Sequence, residues 1–228
     1  MNELDLMHSH CDALYVHNGR SELVRVNDWL RRPAPLLWIG FAANGTLWRF
    51  HEDVSARTRA RIDDLIDQEP KGGTSEVPLH DDSYRACLGA NAAIAGPTYW
   101  LASPSSGPGH RVVRVSAANA AILAQGGLEA WIPDIPHQQP MFASLARGRA
   151  VAVCASVRST PVAHEAGVET LPDYRRQGHA AAAVAAWAQE LRRGGIMPLY
   201  STSWNNLASQ AVARRVGFQA FGWEYRVG

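Results

Sequence analysis

The sequence Leu171-Pro172-Asp173-Tyr174-Arg175-Arg176-Gln177-Gly178-His179-Ala180 lies between a predicted strand and an alanine-rich predicted helix. A turn that leads into a helix presents unbonded backbone N–H groups at the positive end of the helix dipole, and phosphate oxygens bind there. Gly178 lets a ligand approach the backbone closely, and Arg175 and Arg176 add positive charge. An ordinary helix start with two solvated arginines has the same pattern. These residues therefore indicate an anion-binding turn that suits a pyrophosphate, although this short pattern is not specific by itself.

The elements predicted on both sides of this turn alternate between strands and helices. Apolar spacing and terminal glycines define their limits. From residue 110 onward we predict strands at 111–115, 141–146, 150–157, 162–171 and 198–203, helical segments at 117–124, 178–193 and 207–216, and a final pair of strands within 218–227. Arg147-Gly148-Arg149 is the predicted turn of the hairpin between the second and third of these strands.

The first third of the chain predicts a small antiparallel sheet covered by a helix. Asn18-Gly19 and Asn44-Gly45 are hairpin signals because both residue types tolerate positive φ. Strands are predicted at 13–17, 23–26, 36–41 and 47–50, and a helix at 54–66. Small, turn-forming residues at 103–109 indicate a junction. We therefore divide the chain into an N-terminal α+β region, residues 1–109, and a second domain, residues 110–228.

The composition is that of a folded protein, with 46% hydrophobic and 19% charged residues. The net charge is only +1, so no long-range field would attract nucleic acid or an anionic membrane, and we expect neither as a partner. The three cysteines are far apart, and the start of the chain lacks the pattern of a secretory signal. We expect a cytoplasmic protein, and a homodimer is compatible with this expectation.

Histidines near the start of the chain have the residue types of metal ligands. His8, His10 and Cys11 lie together, and His17 follows, but no second ligand cluster comes at zinc spacing. Surface histidines are the simpler interpretation. We therefore predict no metal site.

The stretch from residue 111 to 227 resembles the GNAT superfamily of N-acetyltransferases in its order of elements and in two motifs. The family motif R/Q-x-x-G-x-G/A follows the fourth strand, and Arg175-x-x-Gly178-x-Ala180 fits it. A second motif opens the last long helix with Asn and ends it with Gly-Phe, as do Asn206 and Gly217-Phe218. Residues 165–170 and 199–204 are similar to a bacterial subgroup with an additional N-terminal region.

The resemblance implies an α/β (α+β) fold with a mixed, mostly antiparallel sheet flanked by helices. It also implies an enzyme that transfers an acetyl group from acetyl-CoA directly to a primary amine of a small-molecule or peptide acceptor, without a metal. The implied cosubstrate-binding residues are Val168, Glu169, Thr170, Arg175, Arg176, Gln177, Gly178, His179, Ala180, Ala181, Asn206 and Ser209. In the family, the first three of these bind the pantetheine arm through their backbone, and the turn wraps the pyrophosphate.

Two carboxylates are candidates for the general base, because an attacking ammonium must lose a proton. Glu165 is the first candidate and Glu169 the second, and alternation places both on one face of their strand. A purely structural role remains the alternative, with Arg158 on the preceding strand as a partner. We therefore predict Glu165 as the general base and keep Glu169 as the second candidate.

The tyrosine that protonates the leaving thiolate in many family members is missing. Its position, seven residues after Asn206, is Ala213. Tyr200 is the candidate replacement, although a strand tyrosine more often packs in the core. The alternative is a catalytically weak CoA-binding sensor or interaction module. Because the helical segment at 117–124 is short, we also expect the N-terminal region to form part of the acceptor site.

Overall fold

The computed structural model describes residues 2–70, 72, 76–103, 109–125 and 127–228. The chain divides into two compact units, and each is formed from separate parts of the sequence. The first unit comprises Met1–Tyr99, Ser201–Leu207 and Ala220–Gly228, and the second comprises Trp100–Tyr200 and Ala208–Gln219. The predicted junction at 103–109 falls mainly on residues 104–108, which lie outside the described residues. No described helix combines the length and apolar composition that a membrane span needs.

The first unit contains an antiparallel sheet with helices. Its elements are α1 (Glu3–Leu14), β1 (Tyr15–His17), β2 (Leu23–Val26), β3 (Leu37–Ala42), β4 (Gly45–Phe50), α2 (Ala56–Ile66), α3 (Asp81–Leu88), β5 (Ala93–Trp100) and β11 (Gln219–Val227). The strand order is β4-β3-β11-β5, and β1 and β2 form a separate pair. Both Asn-Gly signals lie at hairpins, which confirms those two predictions.

Four elements of this unit differ from the sequence-based expectation, and two of them, α3 and β5, were not predicted. Most of the chain before Tyr15 is helical, because Asn2 caps α1 and exchanges hydrogen bonds with Asp5. Five of the six buried residues of that helix are hydrophobic, and His10 is the exception. The strand pair predicted within 218–227 is a single strand, β11, which runs along β3.

Glu224 on β11 anchors a buried polar cluster in the first unit. Its carboxylate accepts hydrogen bonds from Trp38 Nε1 at 2.7 Å and His10 Nε2 at 3.3 Å. Burial alone would raise the pKa of Glu224, but the charge of Arg226 and these two hydrogen bonds lower it to about 2. The cluster therefore ties α1, β3 and β11 together through an ionised carboxylate that is 4% exposed.

A second carboxylate, Glu22, joins the first hairpin to α2. Asn18 Nδ2 donates to Glu22 Oε2 at 2.7 Å, and Arg59 forms an ion pair with the other oxygen. The hydrogen bonds from Asn18 and Arg59 lower the pKa of Glu22 to about 2. Arg59 also donates to the backbone carbonyls of His51 and Glu52, so its guanidinium is bonded to several groups of the same unit.

The second unit contains a mixed, mostly antiparallel sheet. Its elements are β6 (Val112–Arg114), α4 (Ala121–Ala124), β7 (Met141–Ala146), β8 (Arg149–Ser159), β9 (Ala163–Thr170), α5 (His179–Arg193), β10 (Met197–Ser201) and α6 (Leu207–Val216). The strand order is β10-β9-β8-β7-β6, and within it only the β9–β10 pair is parallel. Arg147 and Gly148 at the β7–β8 turn have φ values of 51° and 84°, as a two-residue type I′ turn requires. The predicted fold class is confirmed.

The helix α5 packs against β7, β8 and β9. Small residues line its buried face, among them Ala181, Ala185 and Ala188, so its backbone lies close to the sheet. Trp187 Nε1 donates to Ser156 Oγ on β8 at 2.9 Å, and this hydroxyl also contacts His164 Nδ1 on β9 at 2.8 Å. These bonds fix the position of the helix on the sheet.

Candidate functional site

The strand β9 is paired on both sides only along its first three residues. Parallel pairing with β10 joins Met197 to Ala163, Pro198 to His164 and Leu199 to Glu165. Antiparallel pairing with β8 continues as far as Thr170. Among the described residues, the register gives 166–170 no strand partner on the β10 side. Alternate backbone N–H and C=O groups there are available to a ligand.

The start of α5 is the second feature of the site. A short 3-10 helix, Pro172–Tyr174, leads from β9 into the turn, where Arg176 and Gly178 have φ values of 60° and 95°. Gly178 is the N-cap, no side chain caps the helix, and its first turn has no acidic residue. The earliest helical N–H with a bond to this cap is Ala182, at 3.0 Å from Gly178 O. The N–H groups before it form a cradle that is open to an anion.

The predicted turn residues lie together at this cradle. Arg175, Arg176 and Gln177 are exposed. The side chains of two of them donate hydrogen bonds to backbone carbonyls of the preceding residues. Arg175 Nε donates to Thr170 O at 3.3 Å, and Gln177 Nε2 donates to Asp173 O at 2.8 Å. Gly178, His179, Ala180 and Ala181 form the helix start itself.

The side chain of His179 packs into the protein, so only its backbone belongs to the cradle. Its Nδ1 lies 2.8 Å from Ser144 Oγ on β7, and its ring stacks on His110 with centroids 4.0 Å apart. Burial lowers the pKa of His179, and the neighbouring His110 lowers it further. Sequence analysis did not identify His110, because it lies outside both motifs.

Glu165 and Glu169 lie on one face of β9 in different surroundings. Glu165 is 1% exposed and is paired by register with Arg158 on β8 and Leu199 on β10. Glu169 is exposed at the end of the strand and accepts a hydrogen bond from Trp131 Nε1 at 2.6 Å. Trp131 lies in a short 3-10 helix, and no sequence motif marks it. One carboxylate is therefore interior and the other is held at the surface by an indole.

Between these carboxylates, Gly167 leaves room for a neighbouring side chain. The pairing of β8 with β9 shifts register between Ser156 and Arg158, and Val157 lies in that irregularity. A Cβ atom at Gly167 would lie 2.1 Å from Val157 Cγ1. The glycine is therefore required by packing across the strands.

Tyr200 and Ser209 form a hydroxyl pair. The Tyr200 side chain is buried, and its hydroxyl lies 2.7 Å from Ser209 Oγ on α6. Ala213, where the family tyrosine was expected, is fully buried on the same helix. Asn206 is exposed in the first unit, and its backbone N–H donates to Ser203 O at 3.1 Å.

The geometry suits an extended ligand with amide groups at one end and phosphates at the other. The open edge of β9 offers backbone hydrogen bonds, and the helix start lies eight residues beyond Thr170. Thr170 Oγ1 is buried and has no hydrogen-bond partner among the described residues, so it is a further group for a ligand. No group of three or more His, Cys, Asp or Glu suited to a metal ion occurs in the described part of the chain.

Comparisons with known proteins agree with this geometry. Residues 142–227 match the family model of the GNAT acetyltransferases. This part of the chain carries a GNAT domain, and solved structures of GNAT proteins share its fold. No curated protein matches the chain.

Solved structures with similar folds come from several bacteria. A GNAT-family acetyltransferase from Novosphingobium aromaticivorans is 17% identical, with a TM-score of 0.50 over 60% of this chain and 65% of that one. One from Colwellia psychrerythraea is 13% identical, with a TM-score of 0.50 over 79% and 75%. A GCN5-related N-acetyltransferase-like protein from Streptococcus suis is 14% identical, with a TM-score of 0.51 over 86% and 85%. At these identities the similarity concerns the fold.

Proposed function

We propose that the protein is an acetyl-CoA-dependent N-acetyltransferase that transfers the acetyl group directly to a primary amine. The observation that supports this most strongly is the open edge of β9 at 166–170, which leads into the uncapped start of α5. Together these features offer two groups of backbone donors and acceptors, separated by residues 171–175, whose backbone forms internal hydrogen bonds. An acetyl-CoA molecule has the matching sequence of groups: a thioester, amides and a pyrophosphate.

Different residues of the site would bind different parts of acetyl-CoA. Val168, Glu169 and Thr170 would bind the pantetheine amides through their backbone, and residues 175–181 would bind the pyrophosphate. When bound, acetyl-CoA supplies an acetyl group that is activated as a thioester. A backbone N–H on the open edge of β9 is suited to stabilise negative charge on the carbonyl oxygen during transfer.

Glu165 is the proposed general base and Tyr200 the proposed general acid. Glu165 lies at the point where β9 and β10 separate, which is where the open edge begins. Its carboxylate would take the proton of the acceptor amine, directly or through water. The Tyr200 hydroxyl, paired with Ser209, would return a proton to the leaving thiolate in place of a tyrosine at Ala213. Glu169 is the second candidate for the base.

A second candidate function is CoA binding without rapid turnover, as in a sensor or interaction module. The observation that favours it is Ala213, a fully buried methyl group at the position of the family's acid. Release of free thiol from acetyl-CoA in the presence of a panel of primary amines separates the two functions. An enzyme releases thiol with at least one amine, whereas a sensor binds acetyl-CoA and releases none.

The first test is acetyl-CoA binding to the wild type and to Gly178→Glu, measured by calorimetry. The new side chain would fill the cradle and repel phosphate, so we expect affinity to fall at least about 100-fold, the loss of about 3 kcal/mol. Gly195→Glu is the matched control. It lies beyond the other end of α5, also has positive φ at 74°, and its Cβ would meet nothing within 4 Å. If the wild type does not bind acetyl-CoA, the proposal is wrong.

The acid is tested with Tyr200→Phe, using an amine that gives turnover. Loss of a general acid typically costs about 100-fold or more in kcat, and the Kd of acetyl-CoA should not change. Tyr225→Phe is the matched control, since this buried hydroxyl donates to Asp81 at 2.7 Å within the first unit. If kcat for Tyr200→Phe equals that of the control, Tyr200 serves packing only.

A further inference from the structure

His110 binds the backbone of the phosphate-binding turn. Its Nε2 lies 2.9 Å from the carbonyl oxygen of Gln177. A carbonyl oxygen can only accept, so Nε2 carries the proton and donates it. The two residues are 67 positions apart in the chain, so the turn is held by a residue from a distant part of the sequence.

This bond sets the direction of the next N–H group. The peptide bond between Gln177 and Gly178 is trans, so its C=O and N–H point in opposite directions. Holding the Gln177 carbonyl toward His110 therefore turns the Gly178 N–H away from His110. Gly178 is the N-cap of α5, and its N–H is one of the donors at the helix start.

The imidazole of His110 is itself held in place. It stacks on His179 with an interplanar angle of 26°, and His179 is fixed by Ser144 on β7 and by the edge of Tyr174. A line of contacts thus runs from the sheet through two imidazole rings to the Gln177 carbonyl. The positive φ at Arg176 and Gly178 gives this turn an unusual path, and the contacts hold that path in the absence of a ligand.

The Gln177 carbonyl does not need His110 as its hydrogen-bond donor. Gln177 is exposed, so water could bond its carbonyl equally well, and the net contribution of such a bond to folding is small. What water cannot supply is a fixed direction. The geometry therefore indicates that the bond orders the turn for a ligand.

We propose that His110 is a positioning residue for the pyrophosphate: it holds the Gln177–Gly178 peptide so that the Gly178 N–H points into the cradle before acetyl-CoA arrives. This inference rests on the proposed acetyl-CoA site. One ordered hydrogen bond corresponds to about a five- to tenfold change in affinity.

Three variants of the full chain distinguish the contribution of the His110 Nε2 hydrogen bond from that of the stacked imidazole ring. His110→Gln places an amide nitrogen near the position of Nε2 and should keep affinity for acetyl-CoA within about twofold of the wild type, since the donor is restored. His110→Asn is the matched control, because the same amide is one methylene shorter and does not reach. His110→Phe keeps a ring for stacking but has no donor. Asn and Phe should each weaken acetyl-CoA about five- to tenfold.

A second ligand identifies the part of the cosubstrate that depends on His110. S-acetylpantetheine lacks the pyrophosphate and the 3′-phosphoadenosine attached to it, so its affinity, measured by competition or calorimetry, should be equal in all four proteins. S-acetyl-4′-phosphopantetheine restores one phosphate without the adenosine, and the His110 variants should weaken its binding again. If the wild type and the Asn and Phe variants bind acetyl-CoA equally, the proposed role of His110 is wrong and the proposed function is unaffected. A loss that affects S-acetylpantetheine equally, or a Gln variant as weak as Asn, would also overturn that role. Absence of acetyl-CoA binding by the wild type would overturn the proposed function and this inference together.

Discussion

The two units use their polar groups in different ways. In the first unit, buried or half-buried carboxylates are bonded to side chains of the same unit: Glu224 to His10 and Trp38, and Glu22 to Asn18 and Arg59. In the second unit, backbone groups at the end of β9 and at the start of α5 lie at an open strand edge and an uncapped helix end.

The comparison shows that backbone groups are open to a ligand here because the secondary structure is interrupted. A sheet or helix that continued would have used those backbone groups internally. The first unit instead uses ionised side chains to join its elements, and such groups contribute to folding as long as their partners remain. Substitutions in the two units should therefore affect different measurements, stability in one and ligand affinity in the other.

The largest stability effect is expected for Glu224→Gln in the first unit. The variant keeps the shape but removes the charge that faces His10 and Arg226, and breaking a buried pair typically costs about 3–5 kcal/mol. Urea unfolding measures the loss. Glu190→Gln is the control, since its ion pair with Arg114 at 2.9 Å is at the surface and should contribute less than about 1 kcal/mol. A change in acetyl-CoA affinity of folded Glu224→Gln would contradict the separation of roles.

The second effect is a loss of stability in acid. The pKa values of Glu224 and Glu22 are lowered from an ordinary 4.5 to about 2, so both carboxylates stabilise the fold above about pH 4.5. Their contribution should disappear as the pH falls from about 4.5 toward 2, because the unfolded chain then binds protons more readily. Urea unfolding at pH 6, 4.5 and 3.5 would show this slope. Glu224→Gln should flatten it, and an unchanged slope in that variant would assign the acid sensitivity elsewhere.

The smallest effect compares one turn from each unit. Gly148 in the β7–β8 turn has a φ of 84°, and Gly148→Ala should cost about 1 kcal/mol because alanine is strained there. Gly19→Ala, at the β1–β2 turn, is the control. Neither added Cβ would meet an atom within 4 Å, so any difference reports backbone strain. Equal unfolding free energies for the two variants would show that the β7–β8 turn relaxes.

Local patterns predicted most of the fold because their physical cause is local. The hairpins at the two Asn-Gly pairs lie where the sequence placed them, although none of these four residues has a positive φ. The helix at 207–216 and the turn before α5 follow from the spacing of neighbouring residues and from the positive φ of Gly178. The helix α1 was not predicted, although its capping residues Asn2 and Asp5 are a local signal. Its buried face includes His10, whose burial depends on Glu224, a residue 214 positions away.

The candidate site was predictable where it consists of backbone. The turn was predicted from Arg175-x-x-Gly178-x-Ala180, and it does lead into the start of α5, while anion binding there stays a prediction. The side chains around it were not predictable. His110 and Trp131 contact the site across 67 and 38 positions, and isolated residues of these types carry no periodic signal. The inward direction of His179 also depends on Ser144, on another strand.

The helix α5 is bonded to the sheet at two points, and this limits which insertions and deletions the chain can accept before the helix. His179 is bonded to Ser144, and Trp187, eight residues further along, is bonded to Ser156. Sliding the helix by one residue would rotate it by about 100° and direct both side chains away from their serines. An insertion or deletion between Thr170 and Gly178 therefore cannot be absorbed by moving the helix.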